Sequence, residues 1–231
     1  MKTKLLVIIA LAAFPALMNA QEMHTQYQFL GFSDDLKYCA FEVYTSSLDE
    51  AFSNMYFIDV DKNDYATRPV RNTLPIGDDG DQDKALGSAR KATAEKAGPF
   101  LVQYKIGGKK LGTLIEFQGE SNGFGIEYQP EQEFTANGKK YKLILSTVGS
   151  GVTNFGGQEE QMVAVALERN GNRKILQQAT KAPKSWGSII GYQPFCLYYL
   201  DNKLAVFIEC LGPGSEGVKS TLQMIVTGVL D

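Results

Sequence analysis

The chain has 231 residues, of which 44% are hydrophobic and 21% are charged, and its formal net charge is −3. This length suits one domain, or two small domains that share a core. A mildly acidic chain is a poor candidate for contact with nucleic acid or anionic membrane surfaces, so neither is an expected partner.

The beginning of the chain has the order of residues that is typical of an export signal. Lys2 and Lys4 form a short basic start, an apolar run follows over residues 5–17, and Ala20 offers a small residue at the cleavage position. The apolar run is too short and wrongly flanked for a membrane-spanning helix.

This pattern defines the expected domain organisation. We expect residues 1–20 to be a signal peptide and residues 21–231 to form a single β-rich domain that is periplasmic or secreted. Without the two basic residues of the signal, 21 basic and 26 acidic residues remain, a net charge of −5. No later apolar segment is long enough to span a membrane.

Most of the remaining chain is predicted to form strands. Aromatic and β-branched residues fill residues 38–44 and 54–61, and the polar turn over residues 33–36 precedes them. Asn137-Gly138 and Asn170-Gly171 predict two tight hairpins. Further strand candidates are residues 111–118, 123–128, 141–147, 162–168 and 174–178.

One segment is predicted to be helical. Residues 82–96 are rich in Ala, Lys, Arg and Glu, and the preceding Asp78, Asp79 and Asp81 suit a helix N-terminus, where they can cap free N–H groups. Gly98-Pro99 is expected either to end the helix or to kink it, so the helix is placed within residues 81–104. The predicted fold is mainly β, with this one inserted α-helix.

The strand–turn–strand–loop–strand pattern of residues 28–60 returns 166 positions later, in residues 194–226. Phe41 then falls on Phe207, and the apolar positions Ile58 and Val60 fall on Met224 and Val226. The pattern predicts two equivalent antiparallel sheets in which the matched positions are buried.

Residues 32–41 resemble the blade signature of TolB-type β-propellers. Together with Tyr56-x-Ile58-Asp59-Val60-x-x-Asn63, Pro69-Val70-Arg71 and the loop Gly214-x-Glu216-Gly217, they more closely resemble an uncharacterised family of secreted bacterial proteins. The resemblance implies export and antiparallel sheets that resemble propeller blades. It implies no catalytic residue and no cofactor.

The three cysteines do not dictate a disulfide. Cys39 lies in an apolar strand pattern and is expected to be a small buried hydrophobe. Cys196 and Cys210 flank a predicted hairpin, but simple pairing about its turn places Cys196 opposite Phe207. A bridge between the two needs a bulge, and both outcomes stay open.

The usual catalytic and metal-binding arrangements are weakly represented. The single histidine, His24, lies close to the expected mature N-terminus, which is a poor position for a catalytic base. Asp59-x-Asp61-x-Asn63 has the spacing of a calcium loop, but Asp64 and Val70 stand where the loop needs glycine and glutamate. No metal is therefore expected.

Two groups of residues remain as candidates for a site. Glu42, Glu116 and Glu209 lie in strand patterns and are candidates for a hydrolytic carboxylate pair, although Glu42 and Glu209 are one residue out of register in the repeat. Tyr192 and Tyr198, with Glu216 in the last loop, are the predicted binding residues. Other aromatic residues near them are Trp186 and Tyr199, and burial in the core is the more common role of such residues.

Two functions stay open at this point. The first is an exported, non-catalytic binding or scaffold protein that holds a protein or small-molecule ligand in the cell envelope. The second is a periplasmic hydrolase that uses a carboxylate pair. A concave pocket with two facing carboxylates favours the hydrolase, and a surface built by loops favours the binding protein.

Export generates the first testable prediction. We expect the native protein, recovered from fractionated cells, to lack residues 1–20 and to begin at Gln21. N-terminal sequencing of the periplasmic and secreted fractions measures this directly. An intact Met1 on protein from the cytosolic fraction contradicts the expectation.

Overall fold

A computed structural model gives the fold of the chain. It describes residues 25–78, 80–121, 126–153, 157–179, 189–212 and 220–231. This part of the chain contains fifteen strands and a single α-helix, and every strand pairing in it is antiparallel. The mainly β architecture with one helix is therefore confirmed.

The N-terminal sheet has the strand order β1-β2-β3-β4, and a fifth strand, β5, also pairs with β3. Its strands are β1 (Gln26–Phe32), β2 (Tyr38–Ser46), β3 (Glu50–Asp59), β4 (Asp64–Tyr65) and β5 (Val70–Pro75). Ser33 organises the turn between β1 and β2, because its Oγ accepts from Tyr38 N at 3.0 Å and donates to Asp35 Oδ1 at 2.8 Å.

Helix α1 (Gln82–Gln103) lies within the predicted range and packs on the N-terminal sheet. The carboxylate of Asp81 caps it by accepting from Lys84 N at 3.0 Å. The helix continues through Pro99, so Gly98-Pro99 does not end it, and the alternative, a kink at this position, stays a prediction. Packing offsets the lost hydrogen bond, since Phe100 lies 5.7 Å from the Phe57 ring beneath the helix.

Two further four-stranded sheets follow in the chain. The C-terminal sheet contains β6 (Thr113–Glu116), β13 (Gly191–Leu200), β14 (Lys203–Gly212) and β15 (Ser220–Val229). Between β6 and β13 come the small pair β7 (Gly119–Ser121) and β8 (Ile126–Tyr128), and then the β9–β12 sheet, with β9 (Glu131–Ala136), β10 (Lys139–Thr153), β11 (Glu159–Arg169) and β12 (Asn172–Gln177).

Both predicted Asn-Gly hairpins are confirmed. Asn137 and Gly138 have φ angles of 51° and 71°, and Asn170 and Gly171 have 50° and 79°. Two successive positive φ angles define the tight turn that matches the twist of paired strands, and Asn-Gly adopts it with little strain.

The layers stack in the order helix, N-terminal sheet, C-terminal sheet and β9–β12 sheet. One core cluster lies between α1 and the N-terminal sheet, and a second, around Phe41 and Phe207, joins the N-terminal and C-terminal sheets. The largest cluster joins the C-terminal sheet to the β9–β12 sheet, around Leu143, Val165 and Val206.

The described residues form no closed barrel or propeller, so the likeness to propeller blades stays a prediction.

The sequence repeat is confirmed in its first two strands. Phe32 pairs with Cys39 between β1 and β2, and Tyr198 pairs with Ala205 between β13 and β14, at the same offset of 166 residues. Phe41 and Phe207 are both buried, with exposed fractions of 2% and 0%. Their rings lie 5.6 Å apart at 84°, so the equivalent faces of the two sheets pack against each other.

The third strand of the repeat does not follow the predicted ungapped offset. Phe41 pairs with Tyr56, but Phe207 pairs with Ile225 instead of Leu222. β15 is displaced by three residues, which is an odd number. Each of its residues therefore lies on the opposite face of the strand from the one that the repeat predicts. Ile58 consequently packs between the N-terminal and C-terminal sheets, whereas Met224 packs toward the β9–β12 sheet.

All three cysteines are buried and free. As predicted, Cys196 lies opposite Phe207. Cys196 faces the N-terminal sheet and Cys210 faces the β9–β12 sheet, so the C-terminal sheet separates their side chains and they form no bridge. Burial raises the pKa of each thiol, to about 12 for Cys196.

The shared core of the two repeat units generates the second prediction. Phe41→Ala and Phe207→Ala each lose about 3–5 kcal/mol of unfolding free energy, the usual range for truncating a buried Phe. Val102→Ala is the control, because Val102 is 80% exposed and its change stays within about 0.5 kcal/mol. Urea denaturation of the three variants measures this, and a Phe variant as stable as wild type contradicts the fold.

Candidate functional site

The two predicted binding tyrosines do not line one groove. A bulge at Phe195 in β13 reverses the side-chain alternation, so Tyr192 faces the β9–β12 sheet and Tyr198 faces the N-terminal sheet. The Tyr192 hydroxyl donates to Gln161 O at 3.0 Å, and the Tyr198 ring packs 4.4 Å from Phe29. Burial raises the pKa of both hydroxyls. A binding role for either tyrosine stays a prediction.

Three other residues that the sequence singled out, His24, Trp186 and Glu216, lie outside the described residues.

Glu42, a predicted candidate for hydrolysis, holds the helix on the sheet. Its carboxylate accepts two hydrogen bonds from Arg90, at 3.0 and 2.8 Å, and one from Ser53 Oγ at 2.8 Å. The Arg90 guanidinium also lies 3.8 Å above the Tyr44 ring. Since this buried carboxylate is fully engaged with its neighbours, its contacts are those of a structural ion pair.

Glu209 and Glu116 lie elsewhere, on the C-terminal sheet. Glu209 accepts from Gln193 Nε2, and Glu116 is exposed on β6 opposite Cys196. Both charges act on Tyr128, whose pKa is raised first by burial and then by these carboxylates and Cys196. The N-terminal sheet separates Glu42 from this face, as the register of the repeat predicted.

The calcium-like segment is a polar turn between β3 and β4. Lys62 pairs with Asp59 at 2.9 Å, and Lys203 pairs with Asp61. Each carboxylate therefore has a cationic partner, which accounts for the acidic residues without a metal. Within the described part of the chain, no group of three or more His, Cys, Asp or Glu side chains is placed to hold a metal ion.

A pocket of about 160 Å³ opens where the N-terminal, C-terminal and β9–β12 sheets meet. We call it the junction pocket. Its apolar lining is Phe41, Tyr56, Ile58, Tyr65, Met224 and Ile225, and its polar lining is Asn63, Asp64, Gln177 and Gln223. A mainly apolar concavity with a few convergent polar groups is typical of small-molecule sites.

One wall of the junction pocket is an aromatic stack. The rings of Phe41 and Tyr56 lie 4.8 Å apart at 12°, and those of Tyr56 and Tyr65 lie 6.0 Å apart at 27°. The three residues belong to the neighbouring strands β2, β3 and β4, so strand pairing sets the spacing of the rings. The stack runs from the buried Phe41 to Tyr65, which is 46% exposed.

Asn63 fixes the geometry of the junction. Its Oδ1 accepts from Thr227 N on β15 at 2.7 Å, and its Nδ2 donates to Leu176 O at 3.4 Å and to Gln177 Oε1 at 3.3 Å on β12. One side chain thus joins all three sheets. The φ angle of Asn63 is 51°, a conformation that Asn adopts more readily than most residues.

Gln223 contributes a buried acceptor. Its Nε2 donates to Thr25 O at 3.2 Å, but its Oε1 is buried without a hydrogen-bond partner among the described residues. An unpaired buried acceptor costs roughly 1–3 kcal/mol, so native proteins seldom keep one without a compensating role.

The tyrosines of the stack sit in a mixed electrostatic environment. Burial raises the pKa of Tyr56, and burial with the neighbouring Tyr56 raises the pKa of Tyr65 to about 12. Arg71 pairs with Asn54, which lies two residues from Tyr56 on the same face of β3, and its positive charge acts on both pKa values in the opposite direction. Both hydroxyls are therefore neutral at physiological pH.

The chain matches no protein-family model, no curated protein and no solved structure. Among the described residues, no helix has the length and apolar character that crossing a membrane requires.

The sequence singled out part of this site without recognising it as a site. Tyr56, Ile58 and Asn63 belong to the motif that carries the family resemblance, and Asn63 also belongs to the calcium-like segment. Tyr65 and Gln223 were missed, because neither stands in a recognisable motif. The one signal that could have indicated the stack is an aromatic residue in each of the three neighbouring strands β2, β3 and β4, at positions whose side chains point to the same face of the sheet.

Asn63 generates the third prediction. Asn63→Ala removes the four side-chain hydrogen bonds of Asn63, leaves Thr227 N unpaired and places Ala at positive φ, so it loses about 2–4 kcal/mol of unfolding free energy. Asn63→Asp keeps the acceptor for Thr227 N and tolerates the same φ, so its loss is smaller. Urea denaturation compares the two variants, and equal losses contradict the bridging role.

Proposed function

We propose that the protein is exported and acts, in the periplasm or outside the cell, as a non-catalytic binding protein whose ligand occupies the junction pocket. The observation that carries the proposal is a pocket assembled from three sheets and held by the hydrogen bonds of Asn63. The export signal in residues 1–20 and the resemblance to secreted bacterial proteins support the location.

The size of the pocket supports a small ligand, or one small group of a larger ligand. An engineered protein cavity of about 150 Å³ accommodates benzene, so a pocket of about 160 Å³ has room for one six-membered ring. The exposed ring of Tyr65 lies at the pocket and offers a surface for such a group.

The lining of the pocket favours binding over hydrolysis. Asp64 is the one carboxylate among its lining residues, whereas glycoside hydrolysis by the usual route needs two facing carboxyl groups. Glu42 is engaged by Arg90, and Glu209 lies on the other side of the N-terminal sheet from it. The hydrolase alternative has no observation of comparable weight in its favour.

Retention of small molecules by the purified protein tests the proposal. The protein is equilibrated with the low-molecular-mass fraction of a periplasmic extract, and the compounds retained after ultrafiltration are identified by mass spectrometry. Tyr65→Ala removes the exposed ring, and Leu48→Ala is the control, because Leu48 is 62% exposed and does not line the pocket.

We expect wild type and Leu48→Ala to retain the same compound, and Tyr65→Ala to retain about tenfold less, which corresponds to the loss of one aromatic contact. Melting curves by circular dichroism confirm that the variants are folded. If all three proteins retain the same compounds in equal amounts, the junction pocket is not the binding site.

A further inference from the structure

We infer that the junction pocket binds a single uncharged pyranose, a six-membered sugar ring, with one face of the sugar on Tyr65. This inference rests on the proposed function and names its class of ligand. Four observations support it: the open end of the aromatic stack, the hydrogen-bonding groups of the lining, the balance of charge and the volume.

The aromatic stack ends in an open ring. Tyr65 is stacked on Tyr56 on one side, and no other ring of the described residues stacks on it. A pyranose presents a face of C–H groups that packs on the positions an additional aromatic ring would take. The Tyr face is electron-rich and attracts the positive edges of such groups.

The polar lining matches hydroxyl groups. Gln223 Oε1 is a buried acceptor that lacks a donor, and Asp64 has a second carboxylate oxygen beside the one that accepts from Tyr65 N at 2.7 Å. Gln177 uses its Oε1 for Asn63, which leaves its NH₂ group to donate. A hydroxyl both donates and accepts, so hydroxyls around one ring can satisfy acceptors and a donor together.

The charges near the pocket favour an uncharged ligand. Asp64 lines the pocket with one negative charge, and Arg71 lies on the neighbouring strand β5 beside Asn54, on the face of the sheet that carries Tyr56. The remaining polar lining residues are neutral amides. An ionic ligand would meet an opposite and a like charge together, whereas a neutral ligand is repelled by neither.

A phenol ring of similar size fits the same volume but not the same polar groups. It carries one hydroxyl, which can accept from Gln177 and donate to one acceptor, so it leaves Asp64 or Gln223 without a partner in the occupied pocket. Polar groups desolvated without partners weaken binding strongly. The lining therefore favours the sugar over an aromatic side chain of a peptide.

Saturation-transfer NMR titrations with pure compounds test the inference. The probes are the methyl β-glycosides of glucose, galactose and N-acetylglucosamine, with phenol as the aromatic ring of matched size. The proteins are wild type, Tyr65→Ala, Gln223→Met and the control Leu48→Ala. Met has nearly the shape of Gln, so Gln223→Met removes the acceptor, together with the hydrogen bond from Nε2 to Thr25 O, with little change in packing.

We expect at least one glycoside to bind wild type with a dissociation constant on the order of 1 mM, which is ordinary for a ligand of this size. Tyr65→Ala and Gln223→Met each weaken it about tenfold, and Leu48→Ala leaves it unchanged. Melting temperatures of Gln223→Met separate loss of binding from loss of fold, because the one hydrogen bond that the change removes, to Thr25 O, is too small a loss to unfold the protein.

Three outcomes overturn the inference. Phenol that binds more tightly than every glycoside refutes the sugar but leaves the proposed binding function standing. Glycosides that bind equally to all four proteins place the sugar elsewhere. If no glycoside binds, the sugar is excluded, and the binding function itself falls only when the retention experiment also shows no dependence on Tyr65.

Discussion

The packing around Phe207 holds the two repeat units together. Its ring is fully buried between the N-terminal and C-terminal sheets. It contacts the rings of Tyr27, Phe29, Phe41, Phe195 and Tyr198, with centroid distances of 4.6 to 6.1 Å. The edge-to-face contacts of these rings restrict how the two sheets can be oriented. Phe41, Ile58 and Ile225 belong to the same core cluster as Phe207 and also line the junction pocket, so this packing and the pocket share one set of residues.

The pocket lies where the two repeat units differ. Because β15 is displaced by three residues, Thr227 takes the place that Ile58 has in the first unit. Thr227 Oγ1 donates to Val60 O at 3.0 Å, and its backbone N–H donates to Asn63. Hydrogen bonds of Thr227 in the second unit thus stand where the first unit has the apolar side chain of Ile58, next to Phe207. The same displacement brings Gln223 and Ile225 to the pocket.

The sequence predicted the local structure well, for physical reasons. Asn-Gly pairs adopt positive φ at low cost, Asp81 satisfies free N–H groups at the start of the helix, and alternation of apolar residues marks the strands. Each of these signals is contained within a few residues. The burial of Phe41 and Phe207 was predictable in the same way, because both lie in strongly apolar strands.

The site was not predictable by the same means. Tyr65, Gln177 and Gln223 belong to three different sheets, and only the packing of those sheets brings them together. The predicted tyrosines were separated by a bulge at Phe195, a one-residue irregularity that no turn signal announces. The ungapped alignment of the two repeat units likewise did not reveal the displacement of β15, which places the side chains of this strand on the opposite faces of the sheet.

A double-mutant cycle on Phe41 and Phe207 measures whether equivalent faces of the two repeat units pack on each other. Phe41→Leu, Phe207→Leu and the double variant are compared by urea denaturation, with Phe41 and Phe134 as a control pair, since Phe134 lies in the separate core cluster next to the β9–β12 sheet. The contact predicts a coupling free energy of about 0.5–1.5 kcal/mol for Phe41 with Phe207, and additivity within about 0.5 kcal/mol for the control pair. Additive losses for Phe41 and Phe207 would contradict the account.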